Sequence, residues 1–272
     1  MPYSKKDADR ALNFIEGMLK HTADDWYGKP FILAPWQRDA VRQIYGQRDE
    51  KGHRLIETVY LEVPKKSGKT EFAAALLLME IALAPNPGFQ AYGEAAATRQ
   101  AMNVFNAAKS MVQQSKFLSQ IFAIRESAPC RISKITDTNT FYAAVAADGD
   151  LGDGVNPGCF VADEVHRWRV RKQLENWDVM AAGGITRKQR PLIVAITTAG
   201  VRADSPLAWR LHETTINTND RKVDNPRFYG RIYAADPTDD IADPETWLKA
   251  NPSLEPTGCF LTPYKDAQFS RV

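Results

Sequence analysis

The residue types most able to do chemistry stand in two short runs. The first is Val63-Pro64-Lys65-Lys66-Ser67-Gly68-Lys69-Thr70, between a stretch with strand character and one with helix character. A loop in that position turns its backbone N–H groups and the positive end of the following helix toward phosphate oxygens. Lys65, Lys66, Ser67 and Gly68 form the cradle, Lys69 is placed to reach the terminal phosphates of ATP, and Thr70 offers a hydroxyl to magnesium. A Gly-Lys-Thr triplet alone is common; its specificity here comes from the flanking elements and from a partner downstream. Val63 stands where the usual pattern begins with glycine, so only the second half of the pattern is intact.

The partner is Cys159-Phe160-Val161-Ala162-Asp163-Glu164, an apolar run that ends in two acids. At the carboxyl end of a buried parallel strand, Asp163 would hold magnesium through water and Glu164 would polarise the attacking water. Adjacent carboxylates otherwise often mark a solvated strand end. A third run, Ile193 to Gly200, is a hydrophobic strand that closes on Thr197, Thr198 and Gly200. Beside the phosphate site its hydroxyls would sense the γ-phosphate, a reading that depends on the first two runs. Upstream, Gln37 follows Pro35-Trp36, and its amide carries both the donor and the acceptor that an adenine edge asks for. Trp36 is read as core.

These groups need a scaffold of short strands alternating with longer helices. Strands are expected at Thr58 to Val63, Phe89 to Ala95, Phe141 to Ala146, Cys159 to Asp163 and Leu192 to Thr197. Helices are expected near Asp7 to Leu19, then at Lys69 to Ala84, Thr98 to Gln114, Arg171 to Ala182 and Pro206 to Asn217. The alternation is that of an α/β protein with a mostly parallel central sheet flanked by helices, and with the phosphate-loop and acidic runs placed on it the expectation is a P-loop NTPase of RecA-like, ASCE type. The core spans 1–200 and includes the Gln37 segment. Asp, Asn and Pro then become frequent, and 201–255 reads as a small lid or linker subdomain around an isolated strand-like run, Phe228 to Ala234. A linker begins over 256–272, at Pro256-Thr257-Gly258.

Composition narrows the setting. The 272 residues are 44% hydrophobic and 25% charged, enough for a real core, and the apolar stretch Phe72 to Ala84 is interrupted by Glu80 and too short for a bilayer. Three widely spaced cysteines argue against a disulfide framework and for the cytoplasm, and the four histidines lack zinc-ligand spacing. A net charge of +2 does not by itself indicate nucleic acid, although Arg167 to Lys172 and Thr186 to Arg190 are locally basic. The acidic run Asp148 to Gly154 lacks the spacing of a calcium loop and reads as a glycine-rich loop.

Taken in order, the motifs resemble the terminase large subunits of tailed phages, in the branch with helicase-like ATPase motifs. The residues that carry the resemblance are Pro35-Trp36-Gln37, Pro64 to Thr70, Ala97 to Ala101, Asp153 to Pro157, Asp163-Glu164-Val165-His166, Thr197 to Gly200 and Asn251 to Leu254. The resemblance implies a motor that uses ATP and Mg2+ to thread double-stranded DNA through a portal protein into a procapsid. It also implies a terminase small subunit as partner, a homo-oligomeric ring in the assembled state and the host cytoplasm as location. Isolated, the chain is expected to be monomeric. The resemblance gives Asp163 the metal role, Glu164 the catalytic role and Thr197 to Gly200 the coupling role.

Two departures stand out. Members often carry an arginine in the phosphate loop, where this chain has Lys65 and Lys66, so an arginine from a neighbouring subunit is expected, with Arg125, Arg131, Arg187, Arg190 and Arg202 as candidates. Members also continue into a nuclease domain, for which this chain has no room, and no nuclease activity is expected of it. The alternative is another nucleic-acid-stimulated P-loop ATPase, such as a helicase-like translocase. A non-enzymatic assembly module would require Glu164 to be silent.

Overall fold

Two strands buried on both faces form the centre of the molecule, as seen in a computed structural model that describes residues 2–146, 155–184 and 187–254. Every residue of β6 (Pro157–Asp163) and β7 (Leu192–Thr197) is buried, which is why both read as unbroken apolar runs. Around them lie β1 (Thr58–Glu62), β2 (Gln90–Ala95), β3 (Phe122–Arg125), β4 (Arg131–Lys134), β5 (Phe141–Ala146) and β8 (Phe228–Ile232). Among the described residues these make one sheet in the order β3-β4-β5-β2-β6-β7-β1-β8. Pairing is parallel except at β4, which runs against both of its neighbours.

Alternate residues of the central strands feed two hydrophobic clusters. Val161, Val194 and Ile196 pack with one set of helices, while Phe160, Ile193 and Ala195 pack with Trp168, Trp177 and Leu207 on the other face. The first face is covered by α1 (Lys5–Met18), α2 (Pro35–Gly46), α3 (Lys69–Ala82) and α4 (Thr98–Gln114). The second carries α6 (Arg171–Gly183) and α7 (Pro206–Asn219). Short helices α5 (Lys116–Ile121) and α8 (Pro244–Ala250) complete the set among the described residues. Helix α3 is apolar nearly all round, and its Leu76, Leu77 and Leu78 are fully buried. At about 2 kcal/mol for each buried leucine, this packing rather than intrinsic propensity fixes the helix whose first turn carries Lys69 and Thr70.

The five strands and five helices expected from periodicity are present, with ends moved by a few residues. Val63 falls outside β1 as assigned, yet its N–H still bonds to Thr197 O at 3.0 Å, so the ladder runs to the edge of the phosphate loop. The antiparallel pair β3–β4 carries little sequence signal, because its strands are four residues long and end in Arg or Lys. The run 228–234, expected to stand alone in a small unit beside the sheet, instead contributes β8, paired in parallel with β1. A boundary at residue 200 therefore cuts through one continuous sheet. Its Gly230 lies so close to Thr215 of α7 that a Cβ would meet Oγ1 at 2.4 Å, which shows how tightly α7 seats on this edge. The segments 148–154 and 256–272 lie outside the described residues.

Candidate nucleotide-binding site

Sheet register brings the three chemical runs together. Glu62 of β1 is level with Thr197 of β7, and Asp163 of β6 is level with Ile196 of β7. The phosphate loop, the acidic pair and the two threonines thus emerge side by side at the carboxyl edge, with β7 in the middle. The Glu164 N–H donates to Ile196 O at 2.8 Å, so the loops leaving β1 and β6 are both tied to the end of β7.

The phosphate loop turns on two left-handed residues, Lys66 at φ 69° and Gly68 at φ 79°. Gly68 caps α3, and Lys69 and Thr70 open that helix. Lys69 is buried and donates to Pro64 O at 2.9 Å and Val63 O at 3.3 Å. Burial lowers its pKa, while the carboxylates of Glu164 and Asp163 act in the opposite direction. Lys65 and Lys66 are exposed, and Ser67 is buried.

Asp163 is 5% exposed, and its Oδ1 has no hydrogen-bond partner. Burial, and next the adjacent Glu164, push its pKa up to about 7. An orphaned buried carboxylate oxygen is costly, and a hard divalent cation is the partner that would offset the cost. The donor set suits magnesium, which commonly takes one carboxylate, a hydroxyl, phosphate oxygens and water.

Glu164 sits at φ 51°, a left-handed backbone that a residue with a side chain adopts at a cost of roughly 1–3 kcal/mol. The turn swings its carboxylate away from the strand direction and toward β7. Oε2 accepts from the Thr198 N–H at 3.3 Å, with Thr198 Oγ1 at 3.4 Å and His166 Nδ1 at 3.1 Å. Burial acts to raise the Glu164 pKa, but the His166 hydrogen bond and the charge of Lys69 outweigh it and hold it below the usual range. Glu164 is therefore an ionised carboxylate at neutral pH, the form a general base requires.

His166 joins the acids to the threonines. Its backbone N–H donates to Thr197 Oγ1 at 3.1 Å, and its Nδ1 lies 2.9 Å from the same oxygen. Its carbonyl accepts from Ser205 Oγ at 2.7 Å, at the start of α7. Gly200 lies in the same knot, where a Cβ would meet Ser205 Cβ at 2.7 Å and His166 Cβ at 3.1 Å. His166 belongs to the Asp163-Glu164-Val165-His166 run, but no role for its side chain follows from that run alone, since its partners Thr197 and Thr198 lie 31 and 32 residues away.

A cavity of 580 Å³ opens over the phosphate loop, lined on that side by Lys65, Lys66, Gly68, Lys69, Thr70 and Glu164. Arg167, three residues past Glu164, also lines it, so part of the basic cluster 167–172 faces the candidate site. The trans-acting candidates are otherwise engaged. Arg187 bonds to Asn156, Arg190 pairs with Glu57, and Arg131 covers the Phe141 ring. Arg125 bonds to nearby carbonyls, and Arg202 lies over Trp209.

Gln37 does not line the cavity. It is fully buried, and its Oε1 accepts from the Ala34 N–H at 2.9 Å, closing the first turn of α2. Its Nε2 has no partner. Trp36 is core, against Phe72 and Tyr233, with its indole N–H on Ser253 Oγ.

Residues 35–212 match the family described as terminase large subunit, ATPase domain. The terminase large subunit of Enterobacteria phage HK97 is 27% identical over 248 residues, covering 90% of this chain and 46% of that protein. Protein YmfN of Escherichia coli K12 is 37% identical over 127 residues, covering 44% of this chain and 27% of that one. The crystal structure of the HK97 large terminase superimposes with a TM-score of 0.78 at 25% identity, covering 96% of this chain and 50% of that one. The chain thus spans about half the length of the HK97 protein. With a match over well more than half of its residues, and with the P-loop ASCE fold of its structural neighbours, the chain belongs to the terminase large subunit ATPase domain family.

Proposed function

We propose that this site hydrolyses ATP and that hydrolysis drives double-stranded viral DNA into a procapsid. The observation that carries the reading is the convergence of Lys69 and Thr70, Asp163 and Glu164, and Thr197 and Thr198 at the ends of three adjacent strands. Lys69, freed from the loop carbonyls, takes the terminal phosphates, with Lys65, Lys66, Ser67 and Gly68 around them. Magnesium, bound by Thr70 and Asp163, would supply charge neutralisation at the phosphates. Glu164 orients and polarises the attacking water, and Arg167 adds positive charge from the same chain. Thr197, Thr198 and Gly200 tie Glu164 through His166 to Ser205 at the start of α7, a route by which the state of the nucleotide reaches the second face of the sheet.

In this reading the working assembly is a homo-oligomeric ring on a portal protein in the host cytoplasm, supplied with DNA by a terminase small subunit. The isolated chain is monomeric and slow until neighbours contribute an arginine. The test is ATP turnover by the purified chain alone, with double-stranded DNA, and with DNA and portal together. Stepwise acceleration supports the reading. Turnover that is fast in the free chain and indifferent to DNA, portal and protein concentration contradicts it.

A further inference from the structure

A second cavity, of 420 Å³, opens at the other end of the sheet from the phosphate loop. It lies at the amino ends of the central strands, among Arg54 ahead of β1, Phe89 ahead of β2, Gly158 at the start of β6, and Arg187, Lys188 and Gln189 ahead of β7. Helix α3 begins in the phosphate loop and ends here, with Met79, Glu80, Leu83 and Ala84 in the cavity wall. The length of that helix puts about 20 Å between the two cavities, which share no lining residue. We infer that this second cavity binds a small organic anion, a ring-sized apolar body that carries a carboxylate.

Charge is the first support. Five cations line the cavity, Arg10, Arg48, Arg54, Arg187 and Lys188, against two acids, Asp7 and Glu80. Among the described residues only Arg48 of the five has a carboxylate partner, Asp7 at 2.8 Å, and its buried Nε has no hydrogen-bond partner. Arg54 is 6% exposed, and its guanidinium donates to two main-chain carbonyls, those of Ile56 and Arg190. Arg187 donates to Asn156 and lies over the Phe89 ring. A buried cation bonded only to neutral groups still bears a desolvation cost, which an anion beside it offsets. Glu80 does not fill that place. Its Oε1 accepts from the Tyr45 hydroxyl at 2.6 Å, and burial pushes its pKa up against the pull of Arg54. Burial likewise lowers the pKa of Arg48 and of Arg187.

The remaining lining indicates what the anion is attached to. Ala11, Met79, Leu83, Ala84 and Phe89 form an apolar floor. A Cβ at Gly158 would meet the Phe89 ring at 2.2 Å, so the glycine lets that ring lie against β6. A bare anion would leave the floor uncovered, and a neutral apolar guest would leave the cations unmatched. The volume falls within the range of small-molecule sites, about 300 to 1,000 Å³. Duplex DNA carries its phosphates on a convex rod, which does not bring one to a buried guanidinium such as that of Arg54.

The test is titration of the intact chain at neutral pH with 2-naphthoate, with neutral 2-naphthol and with acetate, followed by ligand-observed NMR in the absence and presence of MgADP. Naphthoate is expected to bind at least about tenfold more tightly than naphthol or acetate in both conditions, since only it fills the floor and meets the cations. Arg10→Gln combined with Lys188→Gln, both exposed positions, should weaken naphthoate by about 2- to 30-fold, the range for two exposed ion pairs. Ala84→Trp, which sets an indole in the cavity, should abolish naphthoate binding while the thermal transition stays cooperative. Naphthol or acetate bound as tightly as naphthoate would overturn the inference. So would displacement of naphthoate by MgADP or by a short DNA duplex, or wild-type naphthoate affinity in either folded variant.

Discussion

Replacing His166 by alanine isolates what the knot beside Glu164 contributes. The substitution removes the Nδ1 contact to the Glu164 carboxylate at 3.1 Å and to Thr197 Oγ1 at 2.9 Å. It leaves the backbone N–H bond to Thr197 and the Ser205 bond to the carbonyl, since both use the main chain. Glu164 then keeps only the weaker contacts to Thr198 at 3.3 and 3.4 Å. A hydrogen bond to a charged group contributes about 1.5–3 kcal/mol, and about 1.4 kcal/mol is a factor of ten in rate. If that energy serves to hold the carboxylate toward the attacking water, kcat for ATP falls by about 10- to 150-fold. KM should stay within a factor of about two, because His166 does not line the cavity. Asparagine places an amide N–H near the position of Nδ1, so His166→Asn should recover much of the loss. Steady-state phosphate release across the three proteins reads this directly. An unchanged kcat in His166→Ala, or a loss expressed in KM alone, would refute a positioning role.

Four other substitutions test separate parts of the site. Lys69→Ala should abolish turnover and weaken nucleotide binding while the thermal transition stays cooperative, which differential scanning calorimetry and a binding titration would check. Asp163→Asn should raise the magnesium concentration needed for half-maximal nucleotide binding; an unchanged magnesium dependence would remove Asp163 from the metal site. Gly200→Val should destabilise the chain by roughly 1–3 kcal/mol and slow turnover, since a Cβ already meets Ser205 at 2.7 Å; a wild-type melting curve would show that the knot has room. Gln37→Ala should lower stability by about 1 kcal/mol through loss of the bond to the Ala34 N–H, with adenine preference unchanged; a relaxed base preference would return Gln37 to the nucleotide.

The phosphate loop and the acidic pair were legible because their chemistry is local. Gly68-Lys69-Thr70 must sit where a strand meets a helix, and Asp163-Glu164 must end a buried strand, so each run declares its own surroundings. The apolar Leu192 to Thr197 announced a central strand for the same reason. Features that depend on distant pairing did not show. β8 has charged and turn-forming neighbours like those of a surface loop, and only its parallel ladder with β1 reveals it as part of the sheet. His166 gains its role from a fold that returns Thr197 and Thr198 to its side, 31 and 32 residues later. Gln37 has donor and acceptor groups suited to adenine, yet the same amide suits the first turn of α2, and residue type alone does not separate the two uses. The cavity at the amino ends of the strands carries no motif either; its cations Arg10, Arg48, Arg54, Arg187 and Lys188 come from separated stretches of chain that only the fold brings together.

The central claim is that Glu164 acts on water at an ATP site built around Lys69 and Asp163. The most direct measurement is a single-turnover experiment with magnesium and radiolabelled ATP on the wild type and Glu164→Gln, following bound nucleotide and released phosphate together. The amide keeps the shape of the side chain but cannot polarise water as a carboxylate does. The account predicts that both proteins bind ATP with similar affinity, that the wild type converts it to ADP and phosphate, and that Glu164→Gln retains it uncleaved. Phosphate release by Glu164→Gln at the wild-type rate would contradict it.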